Sequence, residues 1–189
     1  MSIITDRLPE SFTIYGKECP IRTDFKTWIK LSEVMSSEQP VPDILVQMMK
    51  LVFYELPPNL EQSIKAIMDF YNPSKEKAEH TKGEKPSGKP VYDFAYDADL
   101  IFAAFMQQYN INLCESQMHW WQFKALFKGL TEDTFFIKVV QYRNIDLSEI
   151  KDKKQKKQYA KLKNLYKLPD NRSEKAKEEF MNDALANIF

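Results

Sequence analysis

Apolar and polar positions change their period several times along the chain, and each change marks an element. Phe12 and Ile14 alternate with Thr13 and Tyr15, Gly16-Lys17 follows, and Glu18-Cys19-Pro20-Ile21-Arg22 returns. This predicts a short hairpin, with glycine supplying the positive φ of a tight turn and Pro20 confined to an edge strand because it lacks an N–H. The period then becomes helical. Thr23 or Asp24 offers an N-cap before Phe25, Trp28, Ile29 and Leu31, which recur at helical spacing up to Met35. Pro42-Asp43 opens a second helix with Ile44, Leu45, Met48, Met49, Val52 and Phe53 on one face, and Pro57-Pro58 stops it. A third helix over 60–71 carries Ile64, Ile67, Met68 and Tyr71.

Residues 72–90 contain no large apolar side chain, so burial cannot offset the cost of ordering them, and a flexible linker is predicted there. Beyond it, Asp97 and Asp99 start a helix through Leu100, Phe105 and Tyr109 that is apolar nearly all round and reads as the buried centre of a second module. A helix from near Glu115 carries Met118, Trp120, Trp121, Phe123, Leu126 and Phe127 and ends at Gly129. Another covers 131–143 with the adjacent rings Phe135 and Phe136, and a long basic one covers 147–167 before Leu168-Pro169. The last stretch has a charged lead. There Phe180, Met181, Ala184, Leu185, Ile188 and Phe189 recur at three- and four-residue steps, which predicts an amphipathic tail helix.

The expected fold is mainly α: two helical modules with a short N-terminal β-hairpin. Its parts are a hairpin plus three-helix module over 1–71, a flexible linker over 72–90, an aromatic-rich helical module over 91–169 and the tail helix over 170–189. A chain of 189 residues can bury one real core or two small ones, and only four glycines favours helices over sheets joined by tight turns. The two cysteines, Cys19 and Cys114, follow no metal or redox spacing and read as free thiols of a reducing compartment. The amino terminus lacks the pattern of a secretory signal and no segment is long and apolar enough to span a membrane, so a soluble protein is expected.

Net charge is zero, but residues 148–169 carry +6. Within 151–167 stand eight lysines and one acid, Asp152. Tyr159, Leu162 and Tyr166 fall at helical spacing among them, a narrow seam that would pack on the module while the lysines face water. The same lysines suit an acidic protein surface, or the phosphates of a nucleic acid with the tyrosines stacking on bases; lysine without arginine is a weak pattern for reading bases.

Little points to catalysis. His119, beside Trp120 and Trp121, has no second histidine or cysteine at ligand spacing and reads as a packed or surface histidine. Asp93, Asp97 and Asp99 read as helix-capping carboxylates rather than a metal cluster. No phosphate loop, nucleophile elbow or zinc pattern occurs. The expectation is a protein that works by binding others, without catalytic residue, cofactor or metal. Trp120 and Trp121 project about 100° apart on a helix, so one should be core and the other a partial surface anchor. The candidate partner-binding residues are Trp120, Trp121, Phe180, Met181, Leu185, Ile188 and Phe189.

Four strings carry a resemblance: Tyr92-Asp93-Phe94-Ala95-Tyr96-Asp97-Ala98-Asp99, Ala103-Ala104-Phe105-Met106-Gln107-Gln108-Tyr109, the run from His119-Trp120-Trp121-Gln122-Phe123-Lys124 to Leu130, and Tyr142-Arg143-Asn144-Ile145-Asp146-Leu147. With the hairpin and first helix, they resemble the bacteriophage gene-product-fifteen family over most of the chain. The resemblance implies a product of the tail-gene module of phages and prophages of Gram-positive bacteria, encoded between the tail tube and tape measure genes. It implies a tail assembly chaperone in the host bacterial cytoplasm, with the tape measure protein and tail tube protein as partners and no catalytic residue. Met48, Met49, Met106 and Met118 would supply such a chaperone with adaptable contacts, or simply fill the core. A structural tail or connector subunit, and a nucleic-acid-binding regulator, are the alternatives; self-association is left open.

Overall fold

Tyr15 and Gly16 both adopt positive φ, 50° and 75°, which closes β1 (Ser11–Ile14) onto β2 (Lys17–Pro20) through a two-residue turn. Both central residues of a type I′ turn require this conformation, and it follows the right-handed twist of the strands. The strands are antiparallel, with Ile14 opposite Lys17 and Ser11 opposite Pro20. Ile14 and Cys19 are buried, while Thr13, Lys17 and Glu18 face out.

The structure, a computed structural model, describes residues 3–72 and 91–169. The expected linker after Asn72 and the tail helix, with Phe180, Met181, Leu185, Ile188 and Phe189, lie outside the described residues. Among these, seven helices follow the hairpin: α1 (Phe25–Met35), α2 (Val41–Val52), α3 (Leu60–Tyr71), α4 (Ala98–Tyr109), α5 (Trp120–Lys128), α6 (Phe135–Asn144) and α7 (Lys153–Leu165). The fold is mainly α with one N-terminal hairpin, as the periodicity predicts.

Two compact units form. The described part of the first comprises residues 3–72 together with Gln117–Lys124, and that of the second comprises 91–116 and 125–169. The aromatic segment expected wholly within the 91–169 module therefore gives Gln117–Lys124 to the first unit, and the division falls inside α5.

In the first unit Asp24 caps α1, its carboxylate accepting from Lys26 N–H at 3.0 Å, and Asn59 caps α3 by accepting from Gln62 N–H at 2.8 Å. Helix α1 packs on α2, and β1 packs on α3. Trp28, Leu31, Ile44, Met48, Val52, Ile64, Ile67 and Phe70 are buried. Met48 and Met49 are thus core filling, whereas Met106 is 37% exposed. The α3 face includes a residue the periodicity passed over. Phe70 meets Phe12, Trp28, His119 and Trp121 with ring centroids 4.4–5.5 Å apart.

In the second unit α4 packs on α6 and α6 on α7. Helix α4 is one-sided: Ile101, Ala104 and Phe105 are buried while Ala103 and Met106 are exposed, which corrects the expectation of a helix buried all round. An apolar helix surface of small Ala side chains does not require burial on every side. Tyr92, Phe94, Phe127 and Phe136 form a ring cluster with centroids 5.1–6.2 Å apart.

Three helix starts differ from the pattern. Helix α5 begins at Trp120 rather than near Glu115, because residues 118–120 are held extended: Phe25 N–H donates to Met118 O at 3.1 Å and Trp120 N–H to Thr23 O at 2.7 Å. A bridged backbone cannot also make helical bonds. Helix α6 begins at Phe135, since Thr134 adopts an extended conformation and accepts from Ile137 N–H as its N-cap. Helix α7 begins at Lys153, capped by Asp152 accepting from Gln155 N–H at 2.7 Å. Its seam of Tyr159, Leu162 and Tyr166 is half-buried, with Tyr142 stacked at 5.9 Å on Tyr166 and tilted at 6.5 Å to Tyr159.

Candidate functional site

Helices end with carbonyls that have no partner within the helix, and glycine in a left-handed conformation is the usual remedy. This chain has four glycines and ends α2 and α3 differently. Arg22 sends one guanidinium nitrogen to the carbonyls of Lys50, Leu51 and Phe53 at 3.1, 3.1 and 2.6 Å, closing α2 while its guanidinium lies 4.5 Å from the Tyr54 ring.

The end of α3 is met by the aromatic segment itself. Trp121 Nε1–H donates to Phe70 O at 2.9 Å, Trp120 Nε1–H to Tyr71 O at 3.3 Å, and Lys124 Nζ to Tyr71 O at 2.8 Å and Asn72 Oδ1 at 3.1 Å. The ammonium also lies 5.7–5.9 Å from the rings of Trp120 and Tyr71. Charge, ring faces and indole N–H groups converge on the negative end of the helix dipole. Spacing explains the motif: Trp120 and Lys124 are four residues apart on one face of α5, and Trp121 projects beside them.

The two tryptophans divide as the 100° argument expects. Trp120 is 2% exposed, stacked on Tyr71 at 5.3 Å and on Phe123 at 5.7 Å. Trp121 is half-buried, 5.1 Å from Phe70. Its indole N–H is engaged with a carbonyl, and only part of its ring surface meets solvent.

His119 is held at both nitrogens. Nδ1 lies 3.1 Å from Trp121 N–H and accepts from it, which leaves the proton on Nε2, 3.2 Å from Pro9 O. Burial against Phe70 and Trp121 lowers its pKa from the ordinary value, opposed by the Pro9 carbonyl and the nearby charge of Glu10. It is thus a packed histidine, neutral and fixed in one tautomer. Beside it lies an open depression of about 530 Å³ bordered by Thr23, Lys26, Met118 and Gln122, polar and apolar in equal parts.

The acidic strings resolve differently. Asp93 closes the turn before α4 rather than the helix itself, its carboxylate accepting from Ala95 and Tyr96 N–H at 2.9 Å. Asp97 makes no side-chain cap on α4. It is fully buried and forms a bidentate pair with Arg143 at 2.7 and 2.8 Å, and it accepts from Asp93 N–H at 3.0 Å. Arg143 extends the clamp to Val91 O at 3.0 Å and Tyr166 O at 2.5 Å. A carboxylate this buried needs a paired cation, a stronger demand than capping. The arginine five residues before the basic block was the available signal. Among the described residues no group of three His, Cys, Asp or Glu side chains could hold a metal ion, and no helix is long and apolar enough to cross a membrane. Both Cys19 and Cys114 are free thiols, Cys19 buried and Cys114 exposed.

These features define a helical protein of two units in which an aromatic and cationic segment closes a helix of the first. The chain belongs to the family described as Bacteriophage Gp15 protein, which matches residues 4–168. It is a phage protein, and the match covers the hairpin, the seven helices of the described residues and the capping segment. No curated protein and no solved structure matches the chain.

Proposed function

We propose that this phage protein is a tail assembly chaperone, acting by binding rather than catalysis on the tape measure protein, the tail tube protein, or both, in the host bacterial cytoplasm. The observation that carries the reading is the apolar surface left exposed between two helices of the first unit. In the first unit Tyr54 is 63% and Leu56 74% exposed, two residues apart on the α2–α3 connection. Neighbouring exposed apolar side chains are suited to holding apolar stripes of an unassembled partner. Family membership supplies the phage setting, and a long helical tape measure exposes such stripes until the tube encloses it.

Co-expression tests the reading. The tape measure protein of the same phage should be soluble with this chain and aggregate without it, and a Tyr54→Ser/Leu56→Ser variant should lose that effect while keeping its helical content. Equal solubility with and without the chain would overturn it.

A further inference from the structure

We propose that the outward face of α7 is a docking surface for an acidic, amphipathic segment of a partner protein, a site that goes beyond the chaperone reading. Lys154, Lys157, Lys161 and Leu165 recur at three- and four-residue steps, so they form one stripe of the helix, and all four are exposed. Lys153 and Lys151 flank it, also exposed. Among the described residues Lys153, Lys154, Lys157 and Lys161 have no ion-pair partner, and the single acid of the helix start, Asp152, is spent on the N-cap. Lys153 and Lys154 stand in the first turn, at the positive end of the helix dipole, and Lys153, Lys157 and Lys161 follow one another at four-residue steps, so dipole and like-charge repulsion both oppose helix formation there. The arrangement weakens α7 and is relieved by an external anion.

The kind of anion follows from what surrounds the stripe. Tyr159 and Tyr166, the rings of this helix that could stack on bases, are turned onto Tyr142. Arg143, whose guanidinium could grip a phosphate with two bonds, is closed in its pair with Asp97 and 6% exposed. Apolar surface remains instead: Leu165 is 69% exposed at the end of the lysine stripe, and Phe135, whose ring meets Tyr166 at 5.7 Å, is 47% exposed. Cations leading to an apolar end complement a helix that carries carboxylates and leucine-like side chains on one face.

The test is fluorescence anisotropy with the full-length chain and four labelled probes: a peptide repeating glutamate and leucine at helical spacing, its lysine-for-glutamate counterpart, a polyglutamate peptide, and a DNA oligonucleotide of the same charge as the first. The glutamate–leucine peptide should bind most tightly and weaken with salt, and the lysine counterpart should not bind. Lys154→Glu/Lys157→Glu/Lys161→Glu should reduce its affinity by at least about tenfold. That variant should melt no lower than the parent, because it removes repulsion. Leu165→Gln should weaken the glutamate–leucine peptide and leave polyglutamate unchanged. Tighter binding of the oligonucleotide, or unaltered peptide affinity in the triple variant, would overturn the proposal.

Discussion

Asp97 and Arg143 form a two-bond ion pair inside the second unit. Both sides of the pair are almost wholly removed from water, 0% and 6% exposed, so each needs the other. Asp97→Ala leaves the guanidinium buried with two carbonyl partners and no counter-charge, and should cost about 3–5 kcal/mol in chemical denaturation. A loss below about 1 kcal/mol would show that water reaches the pair. His119 gives a pH-dependent effect of known sign. Its folded pKa lies below the ordinary value, so below about 6.5 the unfolded chain takes up a proton that the folded chain resists. Its contribution is therefore complete above that pH and lost as pH falls toward the folded pKa. The melting temperature should drop more steeply on acidification for the parent than for His119→Gln, and parallel profiles would contradict the lowered pKa of the folded state.

At the scale of elements, the chain closes four of its described helices with side chains from elsewhere in the sequence. Arg22 ends α2, Lys124 with the two tryptophans ends α3, Lys163 Nζ reaches Ile145 O at 2.7 Å beyond α6, and Arg143 Nε donates to Tyr166 O beyond α7. Lys124→Met keeps the stem over Trp120 and removes only the donor, so it should cost about 0.5–2 kcal/mol. Trp120→Ala should cost about 3–5 kcal/mol. Trp121→Phe, which keeps a ring and deletes the N–H, should cost about 1–3 kcal/mol through the unpaired Phe70 carbonyl. Equal losses for Trp120→Ala and Trp121→Phe, read by denaturant melts, would contradict the division between a core ring and a capping one. Two helices end otherwise: α4 in a left-handed Asn110 at φ 54°, and α5 at Gly129, whose N–H donates to Ala125 O and Leu126 O. Gly129 is needed for space: a Cβ there would stand 2.9 Å from Tyr109 Oη, which donates to Leu126 O.

Across the whole molecule, what depends on neighbours in sequence was legible and what depends on distant partners was not. The hairpin turn, the bounds of α1 and α3 and the α7 seam follow from local periodicity and caps. The start of α5 follows from backbone pairing of residues 118–120 with 23–25, which no pattern near Glu115 announces. Phe70 carries no local mark for the same reason, since its ring partners come from 12, 28, 119 and 121. Of the candidate site, the motif of 119–124 was recognisable as a string, but its target, the last carbonyls of α3, lies about fifty positions away.

The chaperone reading concerns the whole chain in its phage, and its most direct test is a count. Quantitative mass spectrometry of infected cells and of purified virions from the same culture should find this protein abundant during assembly and below one copy per finished particle. A fixed, stoichiometric number of copies in the purified virion would contradict the account and make the chain a structural component of the tail.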